Sequence, residues 1–234
     1  MNSDFLMHYG IAGMKWGVRR FQEPGSSKRT PEGKERYAHS VGDLAGNVHK
    51  KAAKIEPKIT KDVVSVIRKS GAKVYGLNNR LKTKESIERK ISDDAKKNGT
   101  TINRAANNIK DSIRYTALSD DDNFVSNYNS IKDSLEKRGY TETRCRNYFD
   151  LYRQGKAKHK QVTSVYSDKD GNSFEIQFQT KSSIKAKEAK TPIYEEARRS
   201  GISSKRKAEL ESEMVALSDK VKAPKNVYNI KSYG

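Results

Sequence analysis

The sequence has one cysteine, no long apolar run and far fewer acidic than basic residues. Its single cysteine, Cys145, excludes an internal disulfide framework and a cysteine-rich zinc site, since each needs several thiols. No run approaches the ~18 apolar residues that a membrane-crossing helix needs. Residues 1–10 also lack the apolar core and cleavage site of a secretory signal. We therefore expect a protein that neither spans a membrane nor depends on disulfides.

The excess of basic over acidic residues gives the chain a large positive charge. In 234 residues, 48 Lys and Arg stand against 29 Asp and Glu, a formal net charge of +19. Such an excess favours polyanionic partners, namely nucleic acid, nucleotide phosphates or acidic protein surfaces. A solvated lysine surface would give the same total. Because only 33% of the residues are hydrophobic, part of the chain is also expected to be disordered.

Hydrophobic periodicity divides the chain into an N-terminal region (1–57), a folded domain (58–222) and a C-terminal tail (223–234). Glycine, serine, lysine and proline dominate the start, which predicts a flexible basic arm followed by a helix. The predicted helices are 32–55, 60–70, 84–97, 102–109, 122–139, 181–200 and 203–221, and the predicted strands are 73–81, 112–118, 141–151, 161–167 and 173–179. This order predicts an α+β fold, a mixed β-sheet flanked by helices.

The first candidate cluster has the pattern R-x-K-x-x-x-S-I-x-x-K. Arg80 and Lys82 end a predicted strand, and Lys90 lies on the helix that follows. Fixed cations and a helix N-terminus both stabilise phosphate oxygens, so this arrangement suits a triphosphate. Because lysine and arginine are abundant here, the spacing alone also fits an ordinary basic surface.

The second cluster is the predicted strand 173–179. Glu175, Gln177 and Gln179 share one face of it, opposite three apolar side chains. An ordinary half-buried strand has the same alternation. In the functional interpretation the polar face lines a cleft, where Glu175 holds a metal ion or accepts a proton.

The third cluster interleaves basic and aromatic residues between 144 and 148. Arg144, Arg146 and Tyr148 belong to it, with Asn147 between the last two. Such a stretch can bind a phosphate and stack a base. As part of a strand it would simply form a basic sheet face, and the residues alone leave both interpretations open.

Together, and in this order, the three clusters resemble the synthetase domain of the RelA/SpoT family, which has a nucleotidyltransferase-like fold. Members of that family transfer pyrophosphate from ATP to the 3′-hydroxyl of a guanine nucleotide, and toxin branches modify other acceptors, including tRNA ends. The resemblance covers residues 63–199 and is closest to a toxin-like branch with a D-x-x-R-Y-T strand, here 111–116. It implies ATP and a nucleotide or tRNA acceptor as partners, with Mg²⁺ as cofactor.

The same resemblance assigns roles to individual residues. It implies ATP binding by Arg80, Lys82, Ser86, Lys90 and Arg114, catalysis by Glu175 and Gln177, Mg²⁺ binding by Glu175 and Asp111, and acceptor binding by Arg144, Arg146, Tyr148 and His159. Glu188 follows at the family's spacing. Two positions depart from the pattern. Ile109 stands where the family has its metal-binding aspartate, and His159 stands where it has a stacking tyrosine.

A separate motif, H-x-G-x-x-G-M-K-W-G-x-R-R, precedes the domain. It consists of His8, Gly10, Gly13, Met14, Lys15, Trp16, Gly17, Arg19 and Arg20. The motif resembles an element of head-associated proteins of phages that infect Gram-positive bacteria. In a docking peptide of this kind, Trp16 and Met14 would be apolar anchors and the two arginines would meet an acidic surface. The alternative is a disordered tail with incidental aromatic residues.

Three hypotheses follow. The first is a phage-encoded, virion-associated pyrophosphokinase that acts as a toxin or effector, in the virion or the cytoplasm of the bacterial host. The second is a non-enzymatic basic protein of the phage head, minor capsid or internal, with a degenerate domain. The third is a nucleic-acid-binding protein that reads only phosphate.

Overall fold

The computed structural model describes residues 29–199 and 201–234, and it has the predicted α+β fold. The described strands are β1 (Lys73–Tyr75), β2 (Arg114–Leu118), β3 (Thr141–Asn147), β4 (Val162–Ser167) and β5 (Ser173–Gln179). They form one sheet in the order β1-β2-β5-β4-β3. β2 and β5 run parallel and the other neighbours antiparallel, so the sheet is mixed.

Helices flank this sheet. The described helices are α1 (Pro31–Lys69), α2 (Lys84–Lys97), α3 (Ile102–Asn107), α4 (Phe124–Glu136), α5 (Tyr148–Arg153), α6 (Lys181–Ala197) and α7 (Ser204–Asp219). In the described ranges, no helix has an apolar stretch long enough to cross a bilayer.

The long helix α1 corrects the predicted break at Pro57. The sequence predicted separate helices over 32–55 and 60–70, but α1 runs for 39 residues through the proline. A proline inside a helix costs ~3 kcal/mol, chiefly through a missing hydrogen bond and a clash with the preceding turn. Buried side chains on both sides of it, Ala52 and Ile59 among them, pack against the sheet and offset that cost.

Two predicted strands end early for local reasons. β1 stops at Tyr75, and not at 81, because Gly76 adopts the left-handed conformation (φ +61°) and opens a short 3-10 turn. β3 stops at Asn147, and not at 151, because this side chain caps α5. Its Oδ1 accepts the backbone N–H groups of Phe149 and Asp150 at 3.1 and 3.3 Å.

The hydrophobic core lies between α1, α4 and one face of the sheet. On β5, Phe174, Ile176 and Phe178 are each at most 1% exposed and point into this core. The ring of Phe174 packs edge-on against two tyrosines, Tyr115 and Tyr140, at centroid distances of 6.1 and 5.2 Å. The residues that alternate with these three lie on the opposite, polar face, as the period of the strand predicted.

The C-terminal segment, predicted as a tail, packs along the free edge of β3. Tyr233 and Cys145 exchange backbone hydrogen bonds of 2.9 and 3.0 Å. Fully buried Asn147 donates both amide hydrogens to this segment, to the carbonyls of Val227 (2.7 Å) and Ile230 (3.0 Å). Asn147 is therefore a structural residue that joins β3, α5 and the C-terminal segment.

Replacing Asn147 with alanine should lower the free energy of unfolding by about 2–3 kcal/mol, since it removes a helix cap and the two buried hydrogen bonds to the carbonyls of Val227 and Ile230. Urea denaturation measures this loss. The matched control is Asn129→Ala, an exposed asparagine within α4, which should stay within about 0.5 kcal/mol of the wild type. Equal effects of the two changes would contradict the structural role of Asn147.

Candidate active site

The polar face of the sheet places two arginines on either side of a carboxylate. The strand registers put Arg114 beside Glu175, Glu175 beside Val165, and Val165 beside Arg144. Lateral neighbours in a sheet point to the same face, so these side chains form one row across four strands. The structure thereby brings together residues for which the resemblance implied ATP binding, catalysis and acceptor binding.

A lysine cluster adjoins this row at the start of β2. The Lys82 ammonium donates to Asp111 Oδ2, and Lys90 Nζ lies 3.8 Å from Asp111 Oδ1. Although burial alone would raise the pKa of Asp111, the positive charge of Lys82 offsets it and the pKa lies below its usual range. Arg114 and Lys90 lower the pKa of Asp111 further. Three cations from different segments of the chain therefore surround one half-buried carboxylate.

Glu175 is the second carboxylate of the site and is 7% exposed. Its Oε1 accepts a hydrogen bond of 2.9 Å from Gln177 Nε2. Burial raises the pKa of Glu175 above its usual range, and the nearby Asp111 adds to this increase. A carboxylate with a raised pKa accepts a proton more readily than an exposed one, as a general base requires.

The orientation of Gln177 is fixed by two donors on its other side. Its Oε1 accepts hydrogen bonds from Lys187 Nζ at 3.0 Å and from Gln179 Nε2 at 3.2 Å. Because an ammonium can only donate, these bonds direct the amide NH₂ of Gln177 toward Glu175. The sequence did not predict Lys187, one of several lysines on α6, because only the placement of that helix singles it out. The next residue, Glu188, accepts a hydrogen bond from the Tyr75 hydroxyl.

Beside Lys187 lies a cavity of about 450 Å³ between α6, α7 and the segment that follows α5. Its walls include Lys158, His159, Lys187, Lys190, Tyr194 and Met214. The His159 ring packs on the Tyr148 ring, with centroids 4.2 Å apart. Burial, together with Lys190 and Lys187, lowers the pKa of His159 to about 4. His159 is therefore a neutral aromatic surface at neutral pH.

Some predicted site residues are engaged elsewhere. The Arg80 guanidinium binds Glu56 of α1, which also accepts the hydroxyl of Thr60. Ser86 lies in the first turn of α2, where its N–H donates to the Thr83 hydroxyl at 3.3 Å. Arg146 donates to the carbonyl of Gly234 in the C-terminal segment. The structure therefore places Arg80 and Arg146 beside the site but holds each in a structural contact.

Ile109, at the position where the family carries its metal-binding aspartate, is part of a small hydrophobic cluster with α1 and α2 and is 8% exposed. Within residues 29–199 and 201–234, no group of three or more His, Cys, Asp or Glu side chains could hold a metal ion. The carboxylates that remain for this role are Asp111 and Glu175. Asp111 Oδ1 is buried and has no hydrogen-bond partner among the described residues.

The N-terminal motif, from His8 to Arg20, lies outside the described residues. Residues 2–23 match a family of unknown function (DUF7211). No curated protein matches the chain.

Solved structures similar to this chain include three proteins. The Type VI effector Tas1, crystallised with its immunity protein, is 19% identical over 82% of this chain and 98% of its own, with a TM-score of 0.45. Small alarmone synthetase 1 from Bacillus subtilis, bound to its product pppGpp, is 14% identical over 73% of this chain and 88% of its own (TM-score 0.47). A GTP pyrophosphokinase family protein from Streptococcus pneumoniae is 16% identical over 81% and 89% (TM-score 0.41). These similarities concern the fold alone.

Proposed function

We propose that the domain transfers a pyrophosphate group from ATP to the hydroxyl of a nucleotide or tRNA acceptor. The observation that carries this proposal is the convergence of Lys82, Lys90 and Arg114 around Asp111, next to the buried Glu175. Phosphoryl chemistry depends mainly on positioning and on neutralising phosphate charge, and clustered cations beside a carboxylate provide both.

The two carboxylates fit a magnesium ion. Mg²⁺ is commonly bound by one or two carboxylates together with substrate phosphates, and Asp111 Oδ1 is a buried oxygen with no hydrogen-bond partner among the described residues. Asp111 would hold the ion through Oδ1, and Glu175 would lie beside it. When bound, it would neutralise charge on the triphosphate.

In the proposed reaction the acceptor hydroxyl oxygen attacks the β-phosphorus of ATP. The bond from that phosphorus to the α–β bridging oxygen breaks, AMP leaves and the acceptor gains a pyrophosphate. Glu175 takes the hydroxyl proton through Oε2, since Oε1 is already bonded to Gln177. Lys82, Lys90 and Arg114 hold the phosphate oxygens and stabilise the charge of the leaving AMP.

The acceptor would occupy the cavity that begins at Lys187. This cavity joins the polar sheet face through the Lys187–Gln177 hydrogen bond. A base would stack on His159, which Tyr148 supports from behind. Arg144, whose Nε is buried and has no partner among the described residues, and Arg146 would then contact acceptor phosphates, Arg146 after release from Gly234.

Replacing Arg114 with methionine should weaken binding of a non-hydrolysable ATP analogue about 10- to 100-fold, because a charge-assisted hydrogen bond contributes ~1.5–3 kcal/mol. Isothermal titration calorimetry measures the change. Arg153→Met, which removes an exposed arginine of α5, should bind the analogue like the wild type. Unchanged affinity in the Arg114 variant would remove this residue from the ATP site.

The decisive experiment incubates the full chain with ATP labelled at the β- and γ-phosphates and, separately, GTP, GDP, ATP, ADP or tRNA, over a range of metal ions. Transfer of label to one acceptor, with release of AMP, supports the proposed function. Absence of transfer to every acceptor favours the non-enzymatic hypothesis, in which the domain is a basic component of a phage head.

We further propose that the N-terminal motif docks the protein onto a phage head, which would make it virion-associated. Residues 2–23 match a family model that does not extend into the folded domain, which supports a separate module. Trp16 and Met14 are the proposed anchors. Deleting residues 1–20 should abolish association with particles in a pull-down and leave any transfer activity intact. Retained association would exclude the motif as the docking element.

A further inference from the structure

The outer face of α1 carries a row of lysines. Between residues 50 and 61, the exposed residues of this helix are Pro57 and five lysines. Lys50, Lys54, Lys58 and Lys61 fall within an arc of about 80° on a helix of 3.6 residues per turn, and they span about 17 Å along its axis. We call these four residues the α1 lysine stripe.

No described residue forms an ion pair with the stripe within 4 Å, although the structure contains ion pairs on most other helices. The acidic residues of the same part of α1 are engaged elsewhere. Glu56 is buried and bonded to Arg80, and Asp62 contacts Arg138 at 3.6 Å and accepts the Tyr140 hydroxyl at 2.8 Å. Asp168, on the neighbouring β4–β5 turn, interacts electrostatically with Lys58. The stripe thus keeps most of its charge uncompensated.

The stripe faces away from the candidate active site. The buried side of α1, with Ile59 and Val63, packs on the core face of the sheet, whereas Glu175 and Gln177 lie on the opposite face. An anion bound to the stripe is therefore separated from the site by the helix and the sheet. The proposed reaction does not use these four lysines.

The side chains of the stripe indicate which kind of partner it can bind. A membrane-surface helix needs an apolar face toward the lipid, but the apolar face of α1 is buried in the core. A protein partner needs apolar or aromatic anchors, and single-stranded nucleic acid is usually held by aromatic stacking. The exposed residues between 50 and 61 include no aromatic side chain and, apart from Pro57, no apolar one. Regularly spaced ammonium groups without stacking partners match a duplex phosphate backbone.

We propose that the α1 lysine stripe binds the phosphate backbone of double-stranded nucleic acid without reading its sequence. Each lysine that binds a phosphate releases bound counterions, so the affinity falls as salt rises. The stripe consists of lysines alone, whose ammonium groups act as point charges toward phosphate, so sequence should have little effect on binding.

Fluorescence anisotropy of a labelled DNA duplex, titrated with the full chain between about 50 and 200 mM salt, tests the proposal. The test variant changes Lys50, Lys54, Lys58 and Lys61 to glutamine, a good helix former. Its logarithmic salt dependence should be less steep than that of the wild type by about 0.9 for each phosphate that a lysine no longer neutralises, ~3.6 for all four.

The control changes four exposed lysines near α7 to glutamine, namely Lys205, Lys207, Lys220 and Lys222, for the same reduction in charge. It should keep the wild-type slope.

Circular dichroism confirms that both variants are folded before the slopes are compared. Equal reductions in the stripe and control variants would overturn the proposal, because total charge alone would then explain binding. Tighter binding to a single strand of the same length, or stripe-dependent binding to anionic vesicles without duplex binding, would also overturn it. The same titration with an RNA duplex of equal length tests whether the stripe also binds double-stranded RNA. We expect the stripe variant to show the same decrease in salt dependence there.

Discussion

Glu175→Gln should lower the rate of pyrophosphate transfer by about 10²- to 10⁴-fold, the usual contribution of a positioned general base. Glutamine has nearly the same shape as glutamate but cannot take the hydroxyl proton. Its carbonyl oxygen can still accept the 2.9 Å hydrogen bond from Gln177, so the polar face should stay intact. Single-turnover assays with labelled ATP measure the chemical step directly.

The same change should make the protein more stable at neutral pH. The pKa of Glu175 is raised in the folded state, chiefly by burial, so the ionised side chain destabilises the fold. That cost develops as the pH rises from the unfolded value of 4.5 through the folded pKa, and it is constant above. The increase in Tm for the glutamine variant should therefore be present at neutral pH and should vanish below about pH 4.5.

This pair of results separates catalysis from folding. A variant that is more stable but inactive has lost chemistry, and not structure. Glu209→Gln, the same change at an exposed position of α7, should alter neither rate nor stability. If the Glu175 variant keeps the wild-type transfer rate, Glu175 is not the base and the proposed mechanism is wrong.

The sequence predicted the sheet that positions the site because its signals are local. The strict alternation of β5 assigned Phe174 to one face and Glu175 to the other, and the structure has this arrangement. The residue pair Asp170-Gly171 before β5 is typical of a tight turn, and in the turn that links β4 to β5 Gly171 has a φ of +76°. Period and turn residues are properties of short segments, so they can be read without tertiary information.

Contacts between distant segments could not be read in this way. Arg80 binds Glu56, 24 residues away on a helix that the sequence pattern divides at Pro57. Arg146 meets Gly234, 88 residues further along the chain. In a chain with 48 Lys and Arg, spacing shows which cations are near each other in sequence, but not which acid or carbonyl each one meets.

The cavity beside Lys187 was unpredictable for a related reason. Its walls come from α6, α7 and the segment around His159, and their relative placement depends on packing and not on a motif. His159 was identified through the resemblance, as the residue in place of a stacking tyrosine. The structure adds the Tyr148 ring against which it packs.

Phe174→Ala should lower the free energy of unfolding by about 3–5 kcal/mol, the typical cost of removing a large aromatic side chain from a core. Phe174 is fully buried and packs against Tyr115, Tyr140 and Tyr166, so little of the cavity can collapse. Urea denaturation compares this variant with Phe174→Leu, which keeps most of the volume and should be destabilised less. A decrease below about 1 kcal/mol in the alanine variant would mean that β5 does not direct this face into the core. The assignment of Glu175 to the opposite, polar face, and with it the proposed catalytic role, would then fail.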